Sequence, residues 1–165
     1  MGKRKMVRLA TIDDLNDMLR IYDAARKFMR DNGNMTQWVN GYPHKECLIE
    51  DIEIGQAYVY EEDGKVHGVF ILQFGDDPTY GRIDDGAWLN DESYATIHRI
   101  ASDGEVRGVF NKCVEYSKTR CENLRIDTHE SNFIMQKLCE NNGFKYCGVI
   151  YVADLTPRVA YQYVN

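Results

Sequence analysis

Apolar residues fall at helical spacing near the start of the chain: Ile12, Leu15, Met18, Leu19, Tyr22, Ala25 and Met29 share one stripe. Thr11, followed by Asp14 three positions on, reads as a helix start, and Asn32-Gly33 reads as the stop. A short strand over residues 7–10 precedes this helix. After a polar loop over residues 34–42, Pro43 is expected to open a second helix through Leu48, Ile49 and Ile52, ended by Gly55. The pattern then changes to strands. Residues 56–60 and 66–74 flank a turn whose Asp63-Gly64 pair is a strong hairpin signal. Residues 75–93 read as loop and 94–101 as a strand. The turn Ser102-Asp103-Gly104 leads to a helix from Glu105, with Val106, Val109, Phe110, Cys113 and Val114 on one face. A strand over 124–128, a helix over 132–140 stopped by Asn142-Gly143, and strands over 144–152 and 159–164 complete the chain. The order βααβββαβαββ predicts an α/β or α+β domain with a mixed sheet. No repeat, low-complexity tract or linker divides it, so one domain over residues 1–165 is expected.

Composition narrows the class. At 165 residues and 44% hydrophobic, the chain has the length and apolar content of one globular domain and is neither disordered nor collagen-like. Its apolar runs are far too short to span a membrane. The basic start Met1-Gly2-Lys3-Arg4-Lys5 has no apolar stretch behind it, so it does not read as a signal peptide. Five cysteines without a C-x-x-C pair then read as reduced thiols in a cytoplasmic protein. Four histidines without ligand spacing argue against a structural metal, and none is expected. The net charge of −6 argues against nucleic acid or an anionic membrane as partner. That charge is uneven: residues 1–94 carry 11 Lys/Arg against 18 Asp/Glu, and residues 95–165 carry 9 against 8. An acidic half suits a cationic ligand, but a solvated acidic surface has the same composition.

Strand–turn–helix junctions present backbone N–H groups to anions. Here the junction lies in IHRIASDGEVRGVFNKCVEYSK (residues 97–118), followed by LRIDTHESNFIMQKLCENNGFKYCGVIYV (residues 124–152). Together these stretches resemble the GNAT family of N-acetyltransferases, and the element order fits over the whole chain. The resemblance implies a central, mostly antiparallel sheet of six to seven strands flanked by four helices. It also implies acetyl-coenzyme A as cosubstrate. The family's coenzyme strand, pyrophosphate loop and helix correspond to residues 94–118, and its next strand and helix to residues 124–144. On that correspondence the donor is held by Ile100, Ala101, Ser102, Arg107, Gly108, Val109, Phe110, Asn111, Lys112 and Asn132. The family loop reads Gln/Arg-x-x-Gly-x-Gly/Ala. Arg107 keeps its first position, whereas Phe110 and Lys112 stand at the two small-residue positions, where glycine would let the backbone approach a phosphate closely. Phe110 can still offer its N–H if its ring turns into the core, and Lys112 can reach a phosphate as a point charge.

The resemblance further implies acetyl transfer to an amine, of a small molecule or of a peptide N-terminus, within a ternary complex. Such a reaction needs a base for the amine and a proton for the leaving thiolate. His98 is a candidate base because it titrates near neutrality, with Asp91 and Glu92 behind it; a hydrogen-bonded core histidine has the same sequence signature. The tyrosine that serves as acid in the family is replaced by Cys139, which reads either as a substitute acid or as a packing thiol. Gln37, Trp38, Tyr42 and Trp88 are the candidates for the acceptor side, where aromatic rings suit a cationic amine. Two further readings remain open. The altered loop and absent tyrosine fit a non-catalytic relative that binds acyl-coenzyme A or senses a metabolite. The tyrosine-rich C-terminal strands (Tyr151, Tyr161, Tyr163) fit a homodimer edge.

Overall fold

The protein, a computed structural model, is described over residues 4–165; residues 1–3, part of the basic start, lie outside the described residues. Among the described residues, β1 (Lys5–Leu9) leads through a 3-10 turn (Ile12–Asp14) into α1 (Leu15–Asp31) and then α2 (Lys45–Ile54). There follow β2 (Ala57–Glu62), β3 (Lys65–Phe74), a second 3-10 turn (Pro78–Tyr80), β4 (Ala95–Ser102) and α3 (Val109–Arg120). The chain closes with β5 (Asn123–Thr128), α4 (Phe133–Asn141), β6 (Lys145–Tyr151) and β7 (Pro157–Val164). The strand order is β1-β2-β3-β4-β5-β7-β6. This is a mixed α/β fold whose seven-stranded sheet is mostly antiparallel. The expected order of strands and helices is the observed one. No helix among the described residues is long and apolar enough to cross a membrane.

The described residues divide into two compact units: residues 4–72 with 99–116, and residues 73–98 with 117–165. In the first unit, the inner stripe of α1 (Met18, Ile21, Tyr22, Ala25) packs with Leu48 of α2 and with Ala57, Val59, Val66, Val69, Ile71 and Ala101 of the strands. The Asp63-Gly64 turn has φ +53° and +83°, the mirror-image geometry that suits the right-handed twist of a hairpin. The start of α1 is fixed by the Asp14 carboxylate, which accepts the Thr11 N–H at 2.8 Å and both terminal nitrogens of Arg8 at 2.9 Å.

Two boundaries differ from the sequence reading. α2 begins at Lys45 behind an extended His44, and Pro43 lies ahead of it in a cis Tyr42–Pro43 peptide. α3 begins at Val109 instead of Glu105. Gly108 adopts φ +75°, which no helix residue does, and the Asp103 carboxylate takes the Glu105 N–H at 2.9 Å. That local bond competes with a helical turn, so residues 103–108 stay a loop and Val106 belongs to it.

In the second unit, β5 pairs with β7, and β7 with β6, both antiparallel. β4 and β5 run parallel, paired at Ala95–Leu124 and Thr96–Arg125, the N-terminal ends of both strands. Strand β7 is therefore bonded on both sides, and Tyr161 is buried. Tyr161 and Tyr163 thus stand on an inner strand, whereas Tyr151 stands on β6, the last strand in the order. The backbone of Asp84 covers β6 in turn, exchanging two hydrogen bonds of 2.8 Å with Val149. Gly148 permits that approach, since a Cβ there would stand 2.4 Å from the Asp84 carbonyl oxygen.

Candidate functional site

In the first unit, the second half of β4 runs into the loop over residues 103–108 and the start of α3. Within β4, Arg99 has φ +46°, a left-handed conformation that breaks the regular strand. A non-glycine residue pays roughly 1–3 kcal/mol for this and keeps it only where its surroundings enforce it. The Tyr22 hydroxyl donates to the Arg99 carbonyl at 2.7 Å. The Arg99 guanidinium binds both oxygens of Asp51, at 2.7 and 2.8 Å through Nη2, and donates to the Tyr42 hydroxyl at 2.9 Å. Burial works against its charge, yet Tyr42 and Asp51 carry the pKa of Arg99 above the ordinary arginine value. Beyond this break lie Ile100 and Ala101, both buried, and half-buried Ser102.

The loop opens with the Ser102 hydroxyl accepting the Gly104 N–H at 3.1 Å. Gly104 and Gly108 both have φ +75°, and a Cβ on either would meet nothing within 4 Å. The first intrahelical bond of α3 runs from the Lys112 N–H to the Gly108 carbonyl at 3.0 Å, so the opening amides must be satisfied from outside the helix. Arg107, Asn111 and Lys112 are exposed, whereas the Val109 and Phe110 side chains are buried. Lys112 lies 3.5 Å from Glu115.

The loop over residues 34–42 is fastened to α1. Arg30 donates to the carbonyls of Asn34 and Trp38, each at 2.9 Å, and Arg26 donates to that of Tyr42 at 3.1 Å. Gln37 is buried and its side chain accepts from Asn34 at 2.9 Å. Trp38 meets Tyr22 edge-on, 5.4 Å between ring centres. Gln37 and Trp38 thus hold the loop, while Tyr42 presents its hydroxyl to Arg99.

In the second unit, His98 on the first half of β4 contacts the Asp77 carboxylate through Nε2 at 3.0 Å. Burial would raise the pKa of Asp77, but His98 and Thr79 overcome it and hold the group at about 2. Beside His98, the Tyr80 hydroxyl donates to Asp127 at 2.7 Å. Burial lifts the carboxyl of Asp127 above the usual range, against the bond from Tyr80. Trp88 donates to the Tyr80 carbonyl at 2.9 Å and lies tilted against the Tyr80 ring, 5.0 Å between centres, with the Arg125 guanidinium 4.0 Å from the Trp88 ring centre. Trp88 and His98 therefore share Tyr80 as a neighbour. Asp91 and Glu92, the weaker base candidates, are exposed in the loop before β4.

Asn132 caps α4, accepting the Met135 N–H at 3.1 Å. Cys139 lies one turn before the end of α4 and is completely buried. Burial first, then Glu140 and Asp127, push its thiol up to about 12. A thiol that holds its proton this tightly is a weak proton donor near neutral pH.

No family model matches the chain, and no curated protein matches it. Solved structures do. The chain is 31% identical to a GNAT-family acetyltransferase from Streptococcus agalactiae, over 98% of this chain and 95% of that one, with a TM-score of 0.87. The chain belongs to the GNAT family of acetyltransferases. Its fold is also similar to that of a GNAT-family acetyltransferase from Bacillus cereus, at 20% identity, 98% coverage of both chains and a TM-score of 0.69. A third similar structure is yncA from Salmonella typhimurium, solved with its cofactor acetyl-CoA: 15% identity, 97% of this chain and 93% of that one, TM-score 0.60.

For a GNAT chain, the informative feature is the loop. Phe110 and Lys112 lie inside α3, where helical φ suits any residue, and Gly104 and Gly108 supply the left-handed positions. Sequence reasoning also missed Arg99, Asp51, Asp77 and Tyr80. Asp51 had a detectable signal: it follows Leu48 by three residues, on the buried face of α2. Asp77 and Tyr80 had none, because a loop has no periodicity to violate.

Proposed function

We propose that this GNAT protein is an N-acetyltransferase that moves the acetyl group of acetyl-coenzyme A to the primary amine of a small molecule or a peptide N-terminus. The observation that carries this reading is the 31% identity to a GNAT-family acetyltransferase over 98% of the chain. The residues fit the donor. Open space around Gly104 and Gly108 leaves backbone amides approachable, Arg107 and Lys112 are exposed cations, and the Phe110 ring is out of the way in the core. The solved similarity to a protein holding acetyl-CoA supports the same assignment.

In the reaction, the amine nitrogen attacks the thioester carbonyl, the C–N bond forms and the C–S bond breaks. Ile100, just past the break at Arg99, offers backbone N–H to the carbonyl oxygen as it gains charge. His98 takes the amine proton, oriented by Asp77, whose low pKa keeps it an anion throughout. Cys139 is left out of the proton path, and the departing thiolate takes its proton from water. Tyr42 is the acceptor-side residue we favour, because its hydroxyl is held by the half-buried Arg99 guanidinium rather than by loop packing. The acidic first half of the chain suits a cationic amine.

The test is a calorimetric titration with acetyl-coenzyme A, desulfo-coenzyme A and ATP, followed by thiol release across an amine panel. Binding of both coenzymes but not ATP, with amine-dependent thiol release, is the expected result. His98→Gln should then slow acetyl transfer while leaving coenzyme binding unchanged. Coenzyme binding without release for any amine would favour the acyl-coenzyme A sensor, and no binding would overturn the donor assignment.

A further inference from the structure

Asp103, the first residue of the loop before α3, is held at four points. Its N–H donates to the His67 carbonyl at 3.0 Å. Its Oδ2 accepts from His67 Nδ1 at 2.9 Å and from Arg20 Nη1 at 3.0 Å, and its Oδ1 accepts the Glu105 N–H at 2.9 Å. The carboxylate is 2% exposed and the His67 ring 8%. A carboxylate can only accept, so His67 carries its proton on Nδ1. Glu105 is held as well, by Lys65 at 2.9 and 3.1 Å and by Arg20 at 3.4 Å. Arg20 in turn donates to the Val66 carbonyl at 2.7 Å, which ties α1, β3 and the loop into one network.

The ligand-type atoms of His67, Asp103 and Glu105 lie within 4.8 Å of one another, an arrangement that on its own resembles a cation site. Arg20 and Lys65 already supply its positive charge, so the cluster is complete without an ion. What the network does is fix the course of a loop that has no helix or strand bonds of its own between residues 103 and 108. Two of those residues are glycines in the left-handed region, with open space around them. A loop that flexible would lose entropy on closing around a phosphate unless it were already held.

We propose that Asp103, His67 and Arg20 are positioning residues for the coenzyme, pre-setting the loop over residues 103–108 so that its amides and Arg107 meet the donor's pyrophosphate without reordering. This rests on the donor site assigned above. Charge-assisted bonds to a buried carboxylate are among the stronger ones a loop can have, and losing one leaves a buried partner unsatisfied.

The test compares acetyl-coenzyme A with S-acetylpantetheine, which has the thioester arm but no nucleotide phosphates. With His67→Leu or Asp103→Asn, the KM for acetyl-coenzyme A should rise about tenfold while kcat at saturating donor and the KM for S-acetylpantetheine stay within about twofold of wild type. His67→Asn, which restores an N–H near the place of Nδ1, should recover most of the loss. A general loss of structure would weaken both donors alike, so equal effects on the two would overturn the proposal, as would no effect on either. Should Asp103→Asn fail to fold, Arg20→Gln decides, since that side chain is 38% exposed and its replacement leaves the core intact. If wild-type enzyme uses the two donors equally well, the loop is no phosphate site, and the donor assignment falls together with the anchor. A wild-type preference for acetyl-coenzyme A that the variants leave unchanged overturns the anchor alone.

Discussion

Removing the carboxylate of Asp51 strands the charge of Arg99. The Asp51 side chain is 5% exposed and that of Arg99 22%, and they share two short bonds, 2.7 and 2.8 Å. Breaking one half of a well-buried pair costs roughly 3–5 kcal/mol, because the remaining charge stays desolvated. Here the guanidinium reaches some solvent and keeps the Tyr42 hydroxyl at 2.9 Å, so the lower end applies. Asp51→Ala should therefore destabilise the protein by about 2–3 kcal/mol, a Tm loss on the order of 4–12 °C at this chain length. Urea unfolding of four proteins provides the test: wild type, Asp51→Ala, Arg99→Met and the double variant. If the cost is an unpaired charge, Arg99→Met should restore most of what Asp51→Ala loses, with a coupling of at least ~1 kcal/mol. Purely additive losses, or a single-variant effect below ~0.5 kcal/mol, would refute the claim that this pair governs the local backbone.

Three other consequences can be measured directly. A Cβ added at Gly68 would lie 2.4 Å from Val109 Cγ1, the first side chain of α3. Valine is stiff, so Gly68→Ala should cost about 1–3 kcal/mol and weaken acetyl-coenzyme A binding, and adding Val109→Ala should relieve both; unchanged stability would show that α3 can shift freely. His98 and Thr79 hold the Asp77 carboxyl at about 2 in the folded protein against 3.8 for an unperturbed aspartate, so its stabilisation is full above about pH 4 and disappears as pH falls through 2. Asp77→Asn should thus be less stable by about 2 kcal/mol at pH 7, with the gap to wild type closing between pH 4 and pH 2; a gap independent of pH would refute the His98–Asp77 linkage. Cys139→Ala should lower stability by about 1 kcal/mol and leave the turnover rate within about twofold, while a large fall in rate with an intact fold would return the thiol to the proton path.

The order of strands and helices was legible because each element has its own periodicity and stop. Thr11, the Asp63-Gly64 turn, Gly55 and Asn142-Gly143 are local signals, and each acts where it stands in sequence. Boundaries went astray where a side chain competed with the backbone. The stripe Val106, Val109, Phe110, Cys113 extends the α3 pattern one turn too early, and only the Asp103 carboxylate and Gly108 stop it. Which of the two C-terminal strands forms the edge was illegible for a different reason. Chain order does not determine sheet order, and β6 lies outside β7.

The site was legible in proportion to how far its chemistry depends on backbone. A phosphate loop is a set of amides aimed by φ angles, so its consensus glycines matter by conformation and not by column. Setting the motif against Arg107 put Phe110 and Lys112 in the glycine columns and suggested a damaged cradle. Gly104 and Gly108 instead take φ +75°, four residues apart on either side of the bends, and Phe110 buries its ring from a helical position. The departure thus buries the Phe110 ring, leaves Lys112 exposed, and keeps the left-handed freedom at Gly104 and Gly108. A second trace was present but unread. His98 and Arg99 are adjacent half-buried polar residues in a strand whose flanking residues, Ala95 to Ile97 and Ile100 to Ala101, are buried. Two consecutive polar residues inside a buried strand mark a break, and the break is at Arg99. The same irregularity sends the His98 side chain to Asp77 and the Arg99 side chain to Asp51.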